Sequence, residues 1–307
     1  MKKSYLILAA VTLLTGMTLL SSCKKDESEA DTTTLNKEQS SDGEDVAASS
    51  DMVDDEIDNV MSLSSLKSYD ATLLPCNVII DSTLKAQKKF TITFNGDNCN
   101  ATRTRSGKVE VTLTNGTQWA DVGAVLTVKY TDVKIIHKNS GRYVILNGTK
   151  THTNVTGGLV KDLGVSGTPA TIVRKIESND MKITYTNGTS RSWNIARQRS
   201  FTKGASNSLV ITVTGFGEAN GKTNLVEWGT NRRSTDFYTQ IESPVVMSQA
   251  CDYKPSSGVK IHYVGLRTVT VTLGTDANGV PVTEGCATYY KISWNAVGGD
   301  KTVILPY

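Results

Sequence analysis

The sequence predicts an all-β fold: a large antiparallel meander sheet, curled or sandwich-like, preceded by a disordered acidic tether. Three observations lead there. From about residue 70 onward apolar residues recur at every second position, as in Phe90, Ile92 and Phe94 or Val109, Val111 and Leu113, which is the period of a strand with one buried face. Asn-Gly pairs punctuate the body at 95, 115, 147, 187, 220 and 278, and such pairs mark tight hairpins because both residues tolerate positive φ. The first part of the chain differs in kind, since residues 24–58 carry thirteen Asp and Glu against three Lys and no aromatic residue.

The chain opens with Lys2 and Lys3, runs through an apolar stretch from Tyr5 to Leu20, and reaches Ser21, Ser22 and Cys23. A basic start, an apolar middle and small residues before a cleavage point are the order of a secretory signal, assigned here to residues 1–22. The apolar run is shorter than the ~20 residues a spanning helix needs, and Thr12, Thr15, Gly16 and Thr18 interrupt it. The Leu-Ser-Ser-Cys ending resembles the bacterial lipobox, which implies acylation of Cys23 and a membrane anchor. Each buried acyl methylene contributes ~0.8 kcal/mol, so several chains would hold the protein on a bilayer unaided. The following Lys24, Lys25, Asp26 and Glu27 resemble the export signal of Bacteroidota lipoproteins. That gives the expected location: the outer membrane, lipid-anchored, facing the exterior.

Residues 23–68 read as a flexible stalk, because so polar a segment cannot bury enough apolar surface to offset its ordering entropy. Met52, Val53, Ile57, Val60 and Met61 are spaced for one short amphipathic helix at 52–62. The stalk segment 24–58 has a net charge of −10, and residues 59–307 hold 28 basic and 17 acidic residues, net +11. A basic body invites a polyanion-binding reading, but general attraction to an anionic cell surface is favoured. Nucleic acid is not expected as a partner.

Within the body, 69–307, the two-residue period returns at Met181, Ile183 and Tyr185, at Leu209, Ile211 and Val213, at Val269, Val271 and Leu273, and at Tyr290, Ile292 and Trp294. Leu126, Val128 and Tyr130 share one parity while Val133 and Ile135 take the other, which calls for a bulge near Thr131 and Asp132. No segment of the body has a helical period over eleven residues. Turn spacing predicts twelve to fifteen strands, with a break near 157–170 that could divide them into two sub-sheets.

Cys76, Cys99, Cys251 and Cys286 remain after Cys23, an even number in an exported chain. Three pairings are open, and Cys76 with Cys99 and Cys251 with Cys286 is preferred because each pair brackets a strand and hairpin. Zinc is disfavoured, since no Cys-x-x-Cys occurs and no histidine is near.

Arg191, Trp193, Ile195, Arg197, Arg199 and Phe201 share one parity. On a regular strand they form one face, where arginine and aromatic rings could grip an anionic glycan or lipid headgroup. The favoured arrangement has a bulge between Ile195 and Arg197, or edge snorkelling, that returns the arginines to solvent. Arg191, Trp193, Arg197 and Arg199 are the candidate ligand-binding residues, with Arg232 and Arg233 a weaker pair. His137, His152 and His262 have no partners at zinc spacing and are read as strand-surface residues. No Gly-x-Ser-x-Gly, His-Glu-x-x-His or phosphate loop appears, so no catalytic residue, metal or cofactor is assigned.

The run Phe94-Asn-Gly-Asp-Asn-Cys99, then Arg105-Ser-Gly-Lys-Val-Glu-Val, Asn187-Gly-Thr-Ser-Arg-Ser-Trp193, Ser243-Pro244 and Cys251 resembles a family of Bacteroidota all-β lipoproteins over most of 70–307. The resemblance implies an export route and an all-β fold, and brings no catalytic residues. The insert from Gly274 to Gly285 departs from it, where a shorter glycine turn is expected. The functional expectation is a non-catalytic envelope lipoprotein that binds a glycan, an anionic lipid or an envelope protein. A lipid carrier with a curled sheet is the first alternative and a polysaccharide-acting enzyme the second, the latter needing two carboxylates that converge in a cleft. Oligomeric state stays open.

Overall fold

The computed structural model describes residues 29–63, 74–296 and 299–307. The signal segment and Cys23 lie outside them. Among the described residues one long helix, α1 (Glu29–Leu63), precedes fifteen strands. In chain order these are β1 (Val78–Asp81), β2 (Lys89–Asp97), β3 (Arg103–Asn115), β4 (Ala124–His137), β5 (Tyr143–Asn154), β6 (Ile172–Tyr185), β7 (Ser190–Lys203) and β8 (Leu209–Gly215). The rest are β9 (Gly217–Ala219), β10 (Lys222–Thr230), β11 (Asp236–Ser248), β12 (Pro255–Val264), β13 (Arg267–Thr275), β14 (Tyr289–Ala296) and β15 (Gly299–Pro306).

All of them belong to a single antiparallel sheet that runs as a meander from β1 to β7 and from β10 to β15. Between those halves β7 and β11 fork: β10 joins one end of each, and β8 fills the gap at the other. The sheet does not divide near 157–170, because β5 and β6 pair directly on either side of that long connection. The alternating positions face inward as their period requires, from Ile92 and Phe94 through Val109 and Val111 to Ile292 and Trp294.

The bulge required near Thr131 and Asp132 is present and has company. Asp132 sits at φ 49°, opposite Gly107 at φ 93° on β3, and the register slips there on both sides of β4. Gly148, at φ 126° on β5, meets Asp180 of β6 in the same way. Asn147 ties the line together by exchanging bonds with Asp132, accepting its N–H at 2.9 Å and donating to its carboxylate at 3.1 Å. Such a row of bulges bends a sheet. It also corrects two hairpin readings, since Asn95-Gly96 and Asn147-Gly148 lie inside β2 and β5, whereas 187–188 and 220–221 do close hairpins.

The curl encloses α1. Partners of its side chains come from β3, β4, β5, β6, β7 and β12 and from the β10–β11 turn, and only a strand array wrapped around a cylinder some 10–12 Å across can supply them all. Among the side chains described, Thr34, Lys37, Ala48 and Asn59 are exposed and lie on one stripe of the helix. Val46, Val53, Ile57 and Val60 form the opposite stripe and join Ile92, Val109, Leu126, Val128, Ile135 and Leu146 in one core cluster. The stalk reading is therefore corrected for residues 29–63, where the short helix expected at 52–62 is the end of a longer one. The apolar stripe is thin, and the other contacts of α1 with the sheet are ion pairs and hydrogen bonds.

Candidate functional site

The inner face of β5, β6 and β7 is basic, and α1 lays its carboxylates on it. Asp51, Asp54, Asp55 and Asp58 recur at helical spacing, so they share one side of α1. Asp51 pairs with Arg197, Asp55 with Arg199 at 2.7 Å, and Asp58 with Arg174 at 3.5 Å and with the Trp119 indole N–H at 2.6 Å. On another side of α1, Glu56 pairs with Arg105, whose guanidinium also reaches the carbonyl of Cys76.

Asp54 is the centre of this array. Lys150 donates to Ser50 Oγ at 2.6 Å and to both Asp54 oxygens at 2.9 Å, which fills its three N–H positions. Tyr130 donates to the same carboxylate, and the Lys150 ammonium lies 4.8 Å from the Tyr130 ring centre and 5.7 Å from that of Trp193. Burial penalises the Asp54 carboxylate, but the charges of Lys150 and His152 and the bonds from Tyr130 and Lys150 outweigh it and hold its pKa at about 2. Glu56 goes the other way, because burial outweighs Arg105 and raises it to about 7.

Toward its N-terminal half α1 meets the second part of the sheet. Glu44 pairs with Lys260 at 2.7 Å, Asp42 with Arg232, and Glu38 with Arg233 at 3.3 Å. Between them, Gly43 packs against Glu227 and His262, where a Cβ would lie 3.6 and 3.8 Å from their nearest atoms. Glu227 accepts bonds from Trp193 Nε1 and from Thr239 at 3.1 Å, and Arg191 lies 3.4 Å away. Thr239 also meets His262 Nδ1 at 2.8 Å. Burial pushes His262 and His152 down to about 4, so both are neutral at pH 7.

The candidate residues fall out as follows. Arg191, Trp193, Arg197 and Arg199 all point inward, each no more than 4 % exposed. The bulge expected between Ile195 and Arg197 is absent, since β7 keeps its register against β6 from Ile195 to Phe201; the arginines stay inside because α1 neutralises them. Arg197 and Arg199 serve α1, while Arg191 and Trp193 share Glu227. Arg232 and Arg233 also serve α1. His152 and His262 are buried rather than on the strand surface, because α1 lies against the inner face that carries them. Both preferred cysteine pairs are at disulfide distance, with Cα atoms 5.0 Å apart for Cys76–Cys99 and 5.3 Å for Cys251–Cys286.

Sequence reasoning missed Lys150, Arg105, Arg174, Tyr130 and the Glu227–Thr239–His262 cluster. Lys150 and His152 do share the inward parity of β5 with Asn154, but that pattern reads as polar and gives no hint of burial. Chemically the array neutralises charge and holds an element in place. Each carboxylate in it faces a cation. Among the described residues, no group of three or more His, Cys, Asp or Glu side chains could hold a metal ion, and no helix is long and apolar enough to cross a membrane. The chain matches no protein-family model, no curated protein and no solved structure.

Proposed function

We propose that this chain is an exported envelope lipoprotein, anchored through acylated Cys23 and serving a non-catalytic binding or structural role at the outer membrane. The observation that carries the reading is the pairing of the four later cysteines among themselves. Paired thiols need an oxidising compartment, and no bridge requires Cys23, which stands directly behind an apolar run of export type. The interior supports a non-catalytic role, because α1 fills the curled sheet and each carboxylate it carries there is matched by a cation. The same occupancy counts against the lipid-carrier alternative, which needs the inner face for acyl chains.

In this reading the body sits close to its membrane rather than at the end of a long stalk. α1 starts six residues after Cys23, a reach of at most ~20 Å. Intact-mass measurement on protein extracted from membranes tests the proposal. The expected species begins at Cys23 and carries acyl chains, and Cys23→Ser is expected to leave the membrane fraction. Retention of the first 22 residues, or an unmodified Cys23, would overturn it.

A further inference from the structure

We propose that Asn220, at the tip of the β9–β10 hairpin, is a self-modification site, where the backbone nitrogen of Gly221 attacks the side-chain amide of Asn220 and turns the residue into aspartate or isoaspartate. Six Asn-Gly pairs occur in the chain, and glycine crowds such an attack least of all following residues, because it has no Cβ. What separates the six is whether the fold leaves the amide and the glycine N–H at liberty.

Five of them are held. Asn95 and Asn147 lie inside β2 and β5, where ladder pairing fixes the backbone, and the Asn147 amide is engaged through both its oxygen and its nitrogen with Asp132. Asn115 donates to the carbonyl of Gly123 at 2.7 Å. The Asn187 oxygen accepts from the N–H and the hydroxyl of Thr189 at 3.1 and 2.7 Å, and the Gly188 N–H donates to the carbonyl of Tyr185 at 2.8 Å. Next to Asn278, the Gly279 N–H donates to the carbonyl of Asp276 at 3.0 Å.

Asn220 and Gly221 differ. Both are exposed, and among the described residues neither the Asn220 amide nor the Gly221 N–H has a hydrogen-bond partner. With φ of 50° and 71° they make the tight turn that closes the hairpin, and a side chain at Gly221 would meet nothing within 4 Å. The hairpin behind the turn is weakly tied: β9 is three residues long, and its ladder pairs Ala219 with Lys222 and Gly217 with Leu225, with the register shifted between them. The tip can therefore swing the Gly221 nitrogen onto the Asn220 side-chain carbon without unpacking a neighbour or giving up a bond of its own, the condition for a low-energy local opening.

The nitrogen forms a bond to the side-chain carbonyl carbon. Its proton passes through solvent to the departing amide, which leaves as ammonia, and a cyclic imide remains. Water then opens either carbonyl of the ring, giving aspartate or, with a methylene added to the main chain, isoaspartate. No oxidant or cofactor takes part. The tip gains a negative charge close to Lys222, whose ammonium lies 3.6 Å from the Tyr263 ring centre, so the new carboxylate competes for a cation that rests on that ring.

Incubation of the folded protein, disulfides intact, in heavy-oxygen water at mildly alkaline pH, followed by peptide mapping in ordinary water, tests this, because label in the product marks conversion before digestion. Conversion at Asn220 is expected to run at least about tenfold faster than at any of the other five pairs, the factor that breaking one or two hydrogen bonds imposes on them. In urea, with the fold lost, the six are expected to convert at comparable rates. Asn220→Gly, which keeps a turn that accepts positive φ, is expected to remove the acidic species that ion exchange separates from the aged protein. Conversion of another pair as fast as Asn220, the same ranking of the six in urea as in the fold, or an acidic species that survives in Asn220→Gly would overturn the proposal. So would the absence of labelled product at Asn220.

Discussion

The carboxylate of Asp54 on α1 lies 2.9 Å from the ammonium of Lys150 on β5, 96 residues away in sequence, with both side chains sealed from solvent. Neither charge could be buried alone, since an isolated ion in the interior loses several kcal/mol of hydration. Each therefore fixes the place of the other, and with them the register of the helix inside the sheet.

Removing one partner should be far worse than removing both. Lys150→Met leaves Asp54 buried without its main counter-charge and is expected to destabilise the fold by about 3–5 kcal/mol. Asp54→Ala combined with Lys150→Met is expected to lose less than the sum of the two single changes, by at least ~1 kcal/mol. Urea unfolding of the four proteins measures this coupling. Additive losses would mean that the pair is not an energetic unit.

The pH dependence follows from the buried histidines. Burial lowers His152 to about 4, more than the charge of Asp54, 3.5 Å away, can restore. The unfolded chain then binds a proton that the folded one refuses, so this contribution to stability is present above pH 6.5 and is lost as pH falls toward 4. Glu56 acts in the opposite sense: raised to about 7, it loses its contribution as pH climbs from 4.5 through 7. His152→Gln leaves Glu56 in place and is expected to reduce the slope of unfolding free energy between pH 4.5 and 6 by about 1 kcal/mol per pH unit. An unchanged slope would show that His152 titrates normally in the fold.

Much of the sheet was legible because its signals are local. The phase switch between Tyr130 and Val133 located the bulge at Asp132, and the parity of Arg191 through Phe201 named a face that does point inward. The helix was not legible, because its apolar stripe is sparse and its other contacts are ion pairs with residues far along the chain, such as Arg105, Lys150 and Arg199. No local window contains both partners. The visible trace was the opposition of a −10 segment and a +11 body, read as a charge for outside partners although the two halves neutralise each other. Gly43, alone in the acidic segment, faces Glu227 and His262, and nothing local in the sequence names those partners.

The bulge line makes a graded prediction. In Gly107→Ala the new Cβ would lie 2.1 Å from the Asp132 carbonyl oxygen at a φ of +93°, so backbone must move. Gly188→Ala, in the β6–β7 hairpin at φ +79°, meets nothing within 4 Å. Thermal unfolding is expected to show a loss of about 1 kcal/mol for the second change, from its φ alone, and clearly more for the first. Equal losses would contradict the bulge geometry.

Amide hydrogen exchange along α1 tests the central claim most directly. If the acidic helix is part of the core, the amides of residues 46–61 are expected to exchange as slowly as those of β4, β5 and β6, and to be released together with them in denaturant. Exchange of those amides at the rate of an unstructured chain, while the sheet stays protected, would contradict it.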